Sequence, residues 1–228
     1  MKAAVVVFPG TNCEHDVTWA LDVAGAESEL VWHRETDLSE FGGIVLPGGF
    51  AHGDYLRTGA IARFSPVMAE VRRFAEAGKP VLGICNGFQI LCEAHLLPGA
   101  LHENRDLNFI CRPIHVRVES TDSILTRAAE PGQVLQIPLN SYEGNFTVAD
   151  VDAMDATVVA RYSDADGTVS DATNPNGSVG SIAALANSAG NVAGIMPHPE
   201  RAVEEVLGST DGLVMVRSFV ESMEPAHV

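Results

Sequence analysis

The segment Lys79-Pro-Val-Leu-Gly-Ile-Cys-Asn-Gly-Phe-Gln89 changes character at a single cysteine. The apolar run Val81 to Ile84 stops at Cys85, which Gly83 and Gly87 flank. From Phe88 onward apolar residues recur at helical spacing, with Ile90, Leu91 and Ala94. A buried strand, a sharp turn and a helix follow from that change of period. A thiol at such a turn, with small residues two places before and after it, has the pattern of a nucleophile elbow. The sulfur then stands at the carboxyl end of a strand, where open α/β sheets place their sites. It also stands at a helix N-terminus, whose partial positive charge favours thiolate. A cysteine by itself is more often a buried, inert residue, so the assignment needs partners elsewhere in the chain.

Outward from this turn the chain alternates. Ala3–Phe8 is a continuous Val-rich run, as expected of a strand covered on both faces. Pro9-Gly-Thr-Asn12 turns, Thr11 or Asn12 is placed to cap a helix through Val17, Ala20, Leu21 and Ala24, and Gly25 closes it. Strands follow at Glu29–Trp32 and within Phe41–Phe50, the latter ending in Pro47-Gly48-Gly49. Ile61, Phe64, Met68, Val71 and Ala75 recur at steps of three and four, predicting one amphipathic helix stopped at Gly78. The second half is richer in strands, at 109–118, 134–137, 157–161, 179–186 and 192–196, and a last helix lies within 208–223. The order predicts a three-layer α/β fold. A mostly parallel open sheet is flanked by helices around a flavodoxin-like core, with additional strands in the second half. No repeat or linker divides residues 1–228, so a single domain is expected.

The chain has 228 residues, 46% of them hydrophobic, and a net charge of −16. That charge argues against nucleic acid as a partner. Nothing at the N-terminus resembles a signal peptide, and no apolar run approaches the roughly 20 residues of a membrane span. Cys13, Cys85, Cys92 and Cys111 lack paired spacing, so a reducing cytoplasm and no metal site are expected. Two lysines stand against twelve arginines. An acidic, lysine-poor surface suits a protein that stays hydrated in concentrated salt, where the Debye length falls to about 3 Å at 1 M; an ordinary acidic protein with arginine-biased codons has the same composition. The salt reading predicts a melting temperature that rises between dilute buffer and molar KCl. A melting temperature that falls or stays flat would sink it.

A nucleophilic thiol needs a base and a group to orient that base. Of the histidines at 15, 33, 52, 95, 102, 115, 198 and 227, His198 stands out. It follows an apolar strand in Met196-Pro-His-Pro-Glu-Arg201, where prolines on both sides stiffen the backbone. In an extended segment residues i and i+2 share a face, which lets Glu200 hold one imidazole nitrogen while the other meets the sulfur. Oxyanion donors are available in the backbone N–H of Asn86, next after the nucleophile, and in that of Gly49. Cys13 and Cys92 are read as structural.

With these residues in place the chain resembles the class I, triad-type glutamine amidotransferases. The strings that carry the resemblance are Gly-Ile-Cys-Asn-Gly-Phe-Gln, Pro-Gly-Gly-Phe and Pro-His-Pro-Glu-Arg. Longer strings, at 47–64, Asn108–Pro113, Glu143–Phe146 and Asn176–Ser178, narrow it to separate glutaminase subunits serving purine biosynthesis. The resemblance implies that Cys85 attacks the carboxamide of glutamine, with His198 and Glu200 completing the triad. It implies ammonia passed to a synthetase that converts formylglycinamide ribonucleotide to the amidine. The partners implied are that large synthetase subunit and a small accessory subunit. No cofactor is expected on this chain, ATP and Mg being used by the synthetase. Gln89 matches the position that contacts the amino-acid end of the substrate, and Glu143, Asn145 and Phe146 match the wall of the glutamine pocket. Arg57 and Asp54-Tyr55 are assigned to a partner interface. The family commonly carries a histidine just before Glu-Gly-Asn, where this chain reads Asn140-Ser-Tyr-Glu143. A cysteine peptidase or other thiol hydrolase would share the elbow but needs neither Gln89 nor the 47–64 string; against a binding subunit with a vestigial site stands the intact Cys85–His198–Glu200 set.

Overall fold

A computed structural model describes residues 2–223. His227 lies outside them. Eleven strands and four α-helices follow in the order β1 (Lys2–Val7), α1 (Glu14–Val23), β2 (Glu27–Trp32), β3 (Gly43–Leu46), α2 (Val67–Glu76), β4 (Val81–Ile84), α3 (Asn86–Glu93), β5 (Ala100–His102), β6 (Ile110–Val118), β7 (Val134–Ser141), β8 (Asn145–Thr147), β9 (Ala156–Ser163), β10 (Ile182–Asn187), β11 (Val192–Ile195) and α4 (Gly212–Ser222). Nine strands make one sheet in the order β2-β1-β3-β4-β11-β10-β9-β6-β7, and β5 pairs with β8 apart from it. The strands from β2 to β11 pair in parallel and the rest antiparallel, so β10 and β6 alone run against the common direction. This is the mixed, mostly parallel sheet with four helices that the sequence pattern predicts.

The order explains the sequence pattern. β3 and β4 are central and wholly buried, which is why both read as uninterrupted apolar runs. β7 alternates buried and half-buried residues along its length, as a strand with one covered face does. The common direction also sets the site. Parallel neighbours β1, β3, β4 and β11 deliver the loops after their carboxyl ends, carrying Cys13, Gly48-Gly49, Cys85 and His198, to one edge of the sheet. β7 points the same way, and its Pro138 carbonyl accepts a hydrogen bond from the His198 N–H at 2.8 Å.

Three local expectations change. The helix read from Ile61 begins only at Val67: residues 62–64 form a separate 3-10 turn, and Ser65 is extended, with ψ 144°. Pro66 is the cause, because its ring disfavours helical backbone at the residue before it. Phe64 is therefore left 73% exposed rather than on the buried face. Neither Thr11 nor Asn12 caps α1; Cys13 is the N-cap, and the Thr11 hydroxyl accepts from the Phe8 N–H. Residues 179–181 form a 3-10 turn before β10 rather than its first part.

The elbow depends on glycine for packing. A Cβ on Gly83 would stand 2.6 Å from the Gly87 carbonyl, and one on Gly87 would stand 1.9 Å from the Leu46 carbonyl oxygen on β3. α3 rests against β3 and β4 at backbone contact. Gly87→Ala is expected to force that helix off the sheet and destabilise the fold by about 3 kcal/mol or more. For a chain of this size that lowers the melting temperature by roughly 6–12 °C, readable by calorimetry.

Candidate active site

Cys85 occupies the last position before α3 with φ 50° and ψ −105°, a conformation that side-chain-bearing residues rarely adopt. Strain of this kind costs on the order of 1–3 kcal/mol and persists only where the surroundings impose it. Here they do. The Cys85 N–H donates to the Ile195 carbonyl on β11 at 2.7 Å, and the Cys85 carbonyl accepts from the Gln89 N–H at 3.2 Å. The backbone is held between strand and helix while Sγ faces a cavity of about 490 Å³.

His198 and Glu200 lie beside it. The His198 Nδ1 and Glu200 Oε1 are 2.7 Å apart, and both side chains are almost fully buried. The extended segment expected from the flanking prolines is present at His198, with φ −106° and ψ 83°, after which Pro199 to Arg201 form a 3-10 turn. Burial works against a charged imidazole, but the Glu200 carboxylate and the thiols of Cys85 and Cys13 outweigh it. The His198 pKa is held well above 6.5. Its Nε2 is buried without a hydrogen-bond partner, leaving it free to exchange a proton with a neighbour. The Cys85 thiol donates weakly to the Asn140 carbonyl at 3.7 Å.

The N–H groups of Gly49 and Asn86 make no hydrogen bond within the described residues, since the Thr11–Gly49 bridge is joined through Asn12 and Phe50 instead. Asn86 is the first residue of α3, where N–H groups lack intrahelical partners. Its side chain accepts from the Ala51 N–H at 3.0 Å and donates to Gln89 Oε1 at 2.9 Å, tying the β3 loop to α3. Gly49 has φ 146°, and a Cβ there would meet Thr11 Cα at 2.7 Å.

Gln89 and Glu143 line the cavity and are joined, Gln89 Nε2 donating to the Glu143 carbonyl at 2.6 Å. Asn145 and Phe146 do not line it. Phe146 is wholly buried and stacks on Phe88 with ring centroids 5.9 Å apart, so it supports the wall from behind. The Asn145 Oδ1 is buried without a partner. Alternation explains the exchange: Asn145 starts the short strand β8, and its pairing with β5 turns Phe146 into the core.

Several lining residues were not evident as a set in the sequence. Asp54, assigned above to a partner interface, faces the cavity; burial, then the nearby Glu143 carboxylate, raises its pKa to about 6. Thr58 donates to Glu143 Oε2 at 2.8 Å. Arg57 makes a two-pronged pair with Glu93, at 2.6 and 2.7 Å, within the chain. Cys13 is not a structural cysteine remote from the chemistry. It lines the cavity, and Arg201, itself paired with Asp16 at 2.9 Å, donates to its Sγ at 3.2 Å. Cys92, by contrast, is buried on α3, where burial pushes its thiol up, as a structural role requires. Ser141 is buried at the wall, and its carbonyl accepts from Asn104 Nδ2 at 2.8 Å. Asn104 also accepts from the Gly144 N–H, and Asn176 donates to the Gly144 carbonyl. These two buried amides hold the 141–144 loop, which accounts for the 176–178 string as scaffold.

Comparison with known proteins matches the CobB/CobQ-like glutamine amidotransferase domain to residues 1–212. Phosphoribosylformylglycinamidine synthase subunit PurQ of Koribacter versatilis is 51% identical over 229 residues, covering 98% of this chain and 99% of that one. The PurQ subunit of Salinibacter ruber is also 51% identical, covering 96% and 95%. Among solved structures, PurLQS from Thermotoga maritima superposes with TM-score 0.88 and 42% identity over 98% of this chain and 99% of that chain. A glutamine amidotransferase from the same organism shares the fold at TM-score 0.60 and 16% identity, over 98% and 97%. The chain belongs to the glutamine amidotransferase family, in the branch of the PurQ subunits.

Proposed function

We propose that the chain is the glutaminase subunit of phosphoribosylformylglycinamidine synthase, hydrolysing L-glutamine and passing the ammonia to a synthetase subunit. The observation that carries it is Cys85 at a strained elbow beside the buried His198–Glu200 pair, at the wall of one cavity. Full-length identity to PurQ subunits narrows the acceptor to formylglycinamide ribonucleotide. The name PurLQS of the superposed structure supports assembly with a large synthetase and a small accessory subunit. ATP, Mg and nucleotide binding fall to the synthetase. No helix among the described residues is long and apolar enough to cross a membrane. Together with four free cysteines this favours the cytoplasm.

The geometry supports a sequence of steps. With the Cys85 proton on His198 Nε2, Sγ attacks the side-chain carbonyl carbon of glutamine. The N–H groups of Gly49 and Asn86 receive the developing oxyanion, each worth about 100- to 1,000-fold in rate. Imidazolium, stabilised by Glu200, gives its proton to the departing ammonia. Water, deprotonated by His198, then cleaves the γ-glutamyl thioester and frees Cys85. At the far wall, the Asp54 and Glu143 carboxylates complement the substrate's ammonium group, and Gln89 fixes the loop that carries Glu143.

The test is glutamine hydrolysis by the purified chain, alone and with the synthetase subunits and their substrates. Activity that appears or rises strongly in the complex is expected. Absence of hydrolysis in every combination would sink the reading.

A further inference from the structure

The side chain of Asn86 takes no part in the steps above, yet it is only 1% exposed and lies directly after the nucleophile. Both ends of its amide are engaged. Oδ1 accepts from the Ala51 N–H at 3.0 Å, while Nδ2 donates to Gln89 Oε1 at 2.9 Å and to Asp54 Oδ1 at 3.4 Å. A backbone N–H needs an acceptor, so the Ala51 contact fixes which end of the amide is oxygen. Gln89 carries the connection onward to the Glu143 carbonyl.

The loop that Asn86 reaches holds Gly49, two residues before Ala51. On its other side this loop is tied to the turn after β1. The Asn12 and Cys13 N–H groups donate to the Gly48 carbonyl at 3.3 and 3.2 Å, and the Phe50 N–H donates to the Gly10 carbonyl at 2.8 Å. Toward α3, the Ala51–Asn86 bond is the one hydrogen bond that residues 48–53 make among the described residues. The loop needs that hold. His52, Asp54 and Leu56 have φ of 54°, 53° and 73°, which side-chain-bearing residues keep only where the surroundings impose it. It also runs beside the nucleophile, since a Cβ built on Gly48 would lie 3.5 Å from Cys85 Cβ.

We propose that the Asn86 side chain is a positioning residue, which sets the spacing of the two oxyanion donors by clamping the Gly49 loop to the start of α3. One residue then supplies one donor through its own N–H and holds the other in place through its amide. Both donors must meet a single oxygen at about 2.7–3.1 Å. That oxyanion develops only in the transition state, so loss of the clamp lowers kcat rather than substrate binding. The role rests on Gly49 and Asn86 being the donors proposed above.

The experiment measures glutamine hydrolysis by the assembled complex for the parent, Asn86→Leu and Asn86→Asp, with amide exchange followed on the full chain alone. Asn86→Leu removes both hydrogen bonds at similar volume. It should lower kcat by about 100-fold with KM little changed, and the Ala51 N–H should lose its protection from exchange. Asn86→Asp tests the hydrogen bonds without a change of shape. Its carboxylate cannot donate to Gln89, and the Asp54 carboxylate beside it disfavours the charge. Once protonated, the carboxyl offers one acceptor and one donor, as the amide does. The ratio of its kcat to that of the parent should therefore rise as pH falls, which a packing role would not produce. Asp54, Glu143, Cys85 and His198 titrate around the same cavity in both proteins, so the ratio isolates position 86. Melting curves establish that each variant folds, and Asn86→Asp carries the test if the leucine variant does not. Hydrolysis by Asn86→Leu close to that of the parent, a loss confined to KM, or a loss in Asn86→Asp that acid does not recover would overturn the clamp. Exchange needs no catalysis and separates the two failures. Unchanged protection of Ala51 with an active parent overturns the clamp alone, whereas an inactive parent complex overturns the donors on which it rests.

Discussion

Cys85→Ala is expected to lower glutamine hydrolysis by the assembled complex at least about 10⁴-fold, since removal of a nucleophile disables the whole catalytic unit. The loss should come with little change in stability. Alanine keeps a Cβ, so the unfavourable backbone at φ 50° is retained, and the Cys85 N–H still donates to Ile195. Cys85→Gly separates the two roles of the residue. It should be equally inactive but more stable than Cys85→Ala, because glycine adopts positive φ without a Cβ clash. Calorimetry of the two variants alongside the hydrolysis assay checks both points. Hydrolysis surviving in either would remove Cys85 from the mechanism, whereas equal stability would say that the turn is not strained.

Glu200→Gln should lower kcat by about 10²- to 10⁴-fold with a smaller change in KM, because the carboxylate acts on His198 rather than on the substrate. An amide at that position neither stabilises the imidazolium nor selects its tautomer. The same variant carries a pH signature. The His198 pKa in the folded chain stands above 6.5, its value when unfolded. The pair therefore contributes stability that is fully present below about pH 6.5 and is lost as pH rises through the folded value. Unfolding free energies of parent and variant should differ most on the acidic side of that window and converge above it. A difference independent of pH would mean that imidazole and carboxylate are not an ion pair. The pH–rate profile should lose its limb on the alkaline side at a lower pH in the variant, a change that a purely structural role for Glu200 would not produce.

Within single elements the sequence was sufficient. The change of period at Cys85 marked the strand, turn and helix, since apolar spacing and glycine at close backbone approach are properties of neighbouring residues. The proline-flanked segment put Glu200 two places after His198, but the pair meets at 2.7 Å through a 3-10 turn over Pro199–Arg201 rather than along one extended stretch. Pro66 bars helical backbone at Ser65, so the 61–75 periodicity extends nearly two turns beyond the true start of α2. Phe146 was assigned to the pocket by family likeness, yet the pairing of β8 with β5 turns it inward.

The residues that surround the triad were a tertiary matter. Asp54, Asn104 and Asn140 come from loops and strands far apart in the chain, and nothing in their own neighbourhoods distinguishes them from turn residues. Cys13 looked like a helix-start cysteine, and locally it is one. It reaches His198 because β1, β3, β4 and β11 are parallel neighbours, which brings the loop after each strand to the same edge. Sequence by itself singled out Cys85, His198 and the alternation of strands and helices, because short-range sterics and burial periodicity encode them. Strand order, and with it the cavity wall and the second thiol, was decided only by long-range packing of the sheet, which no single segment carries.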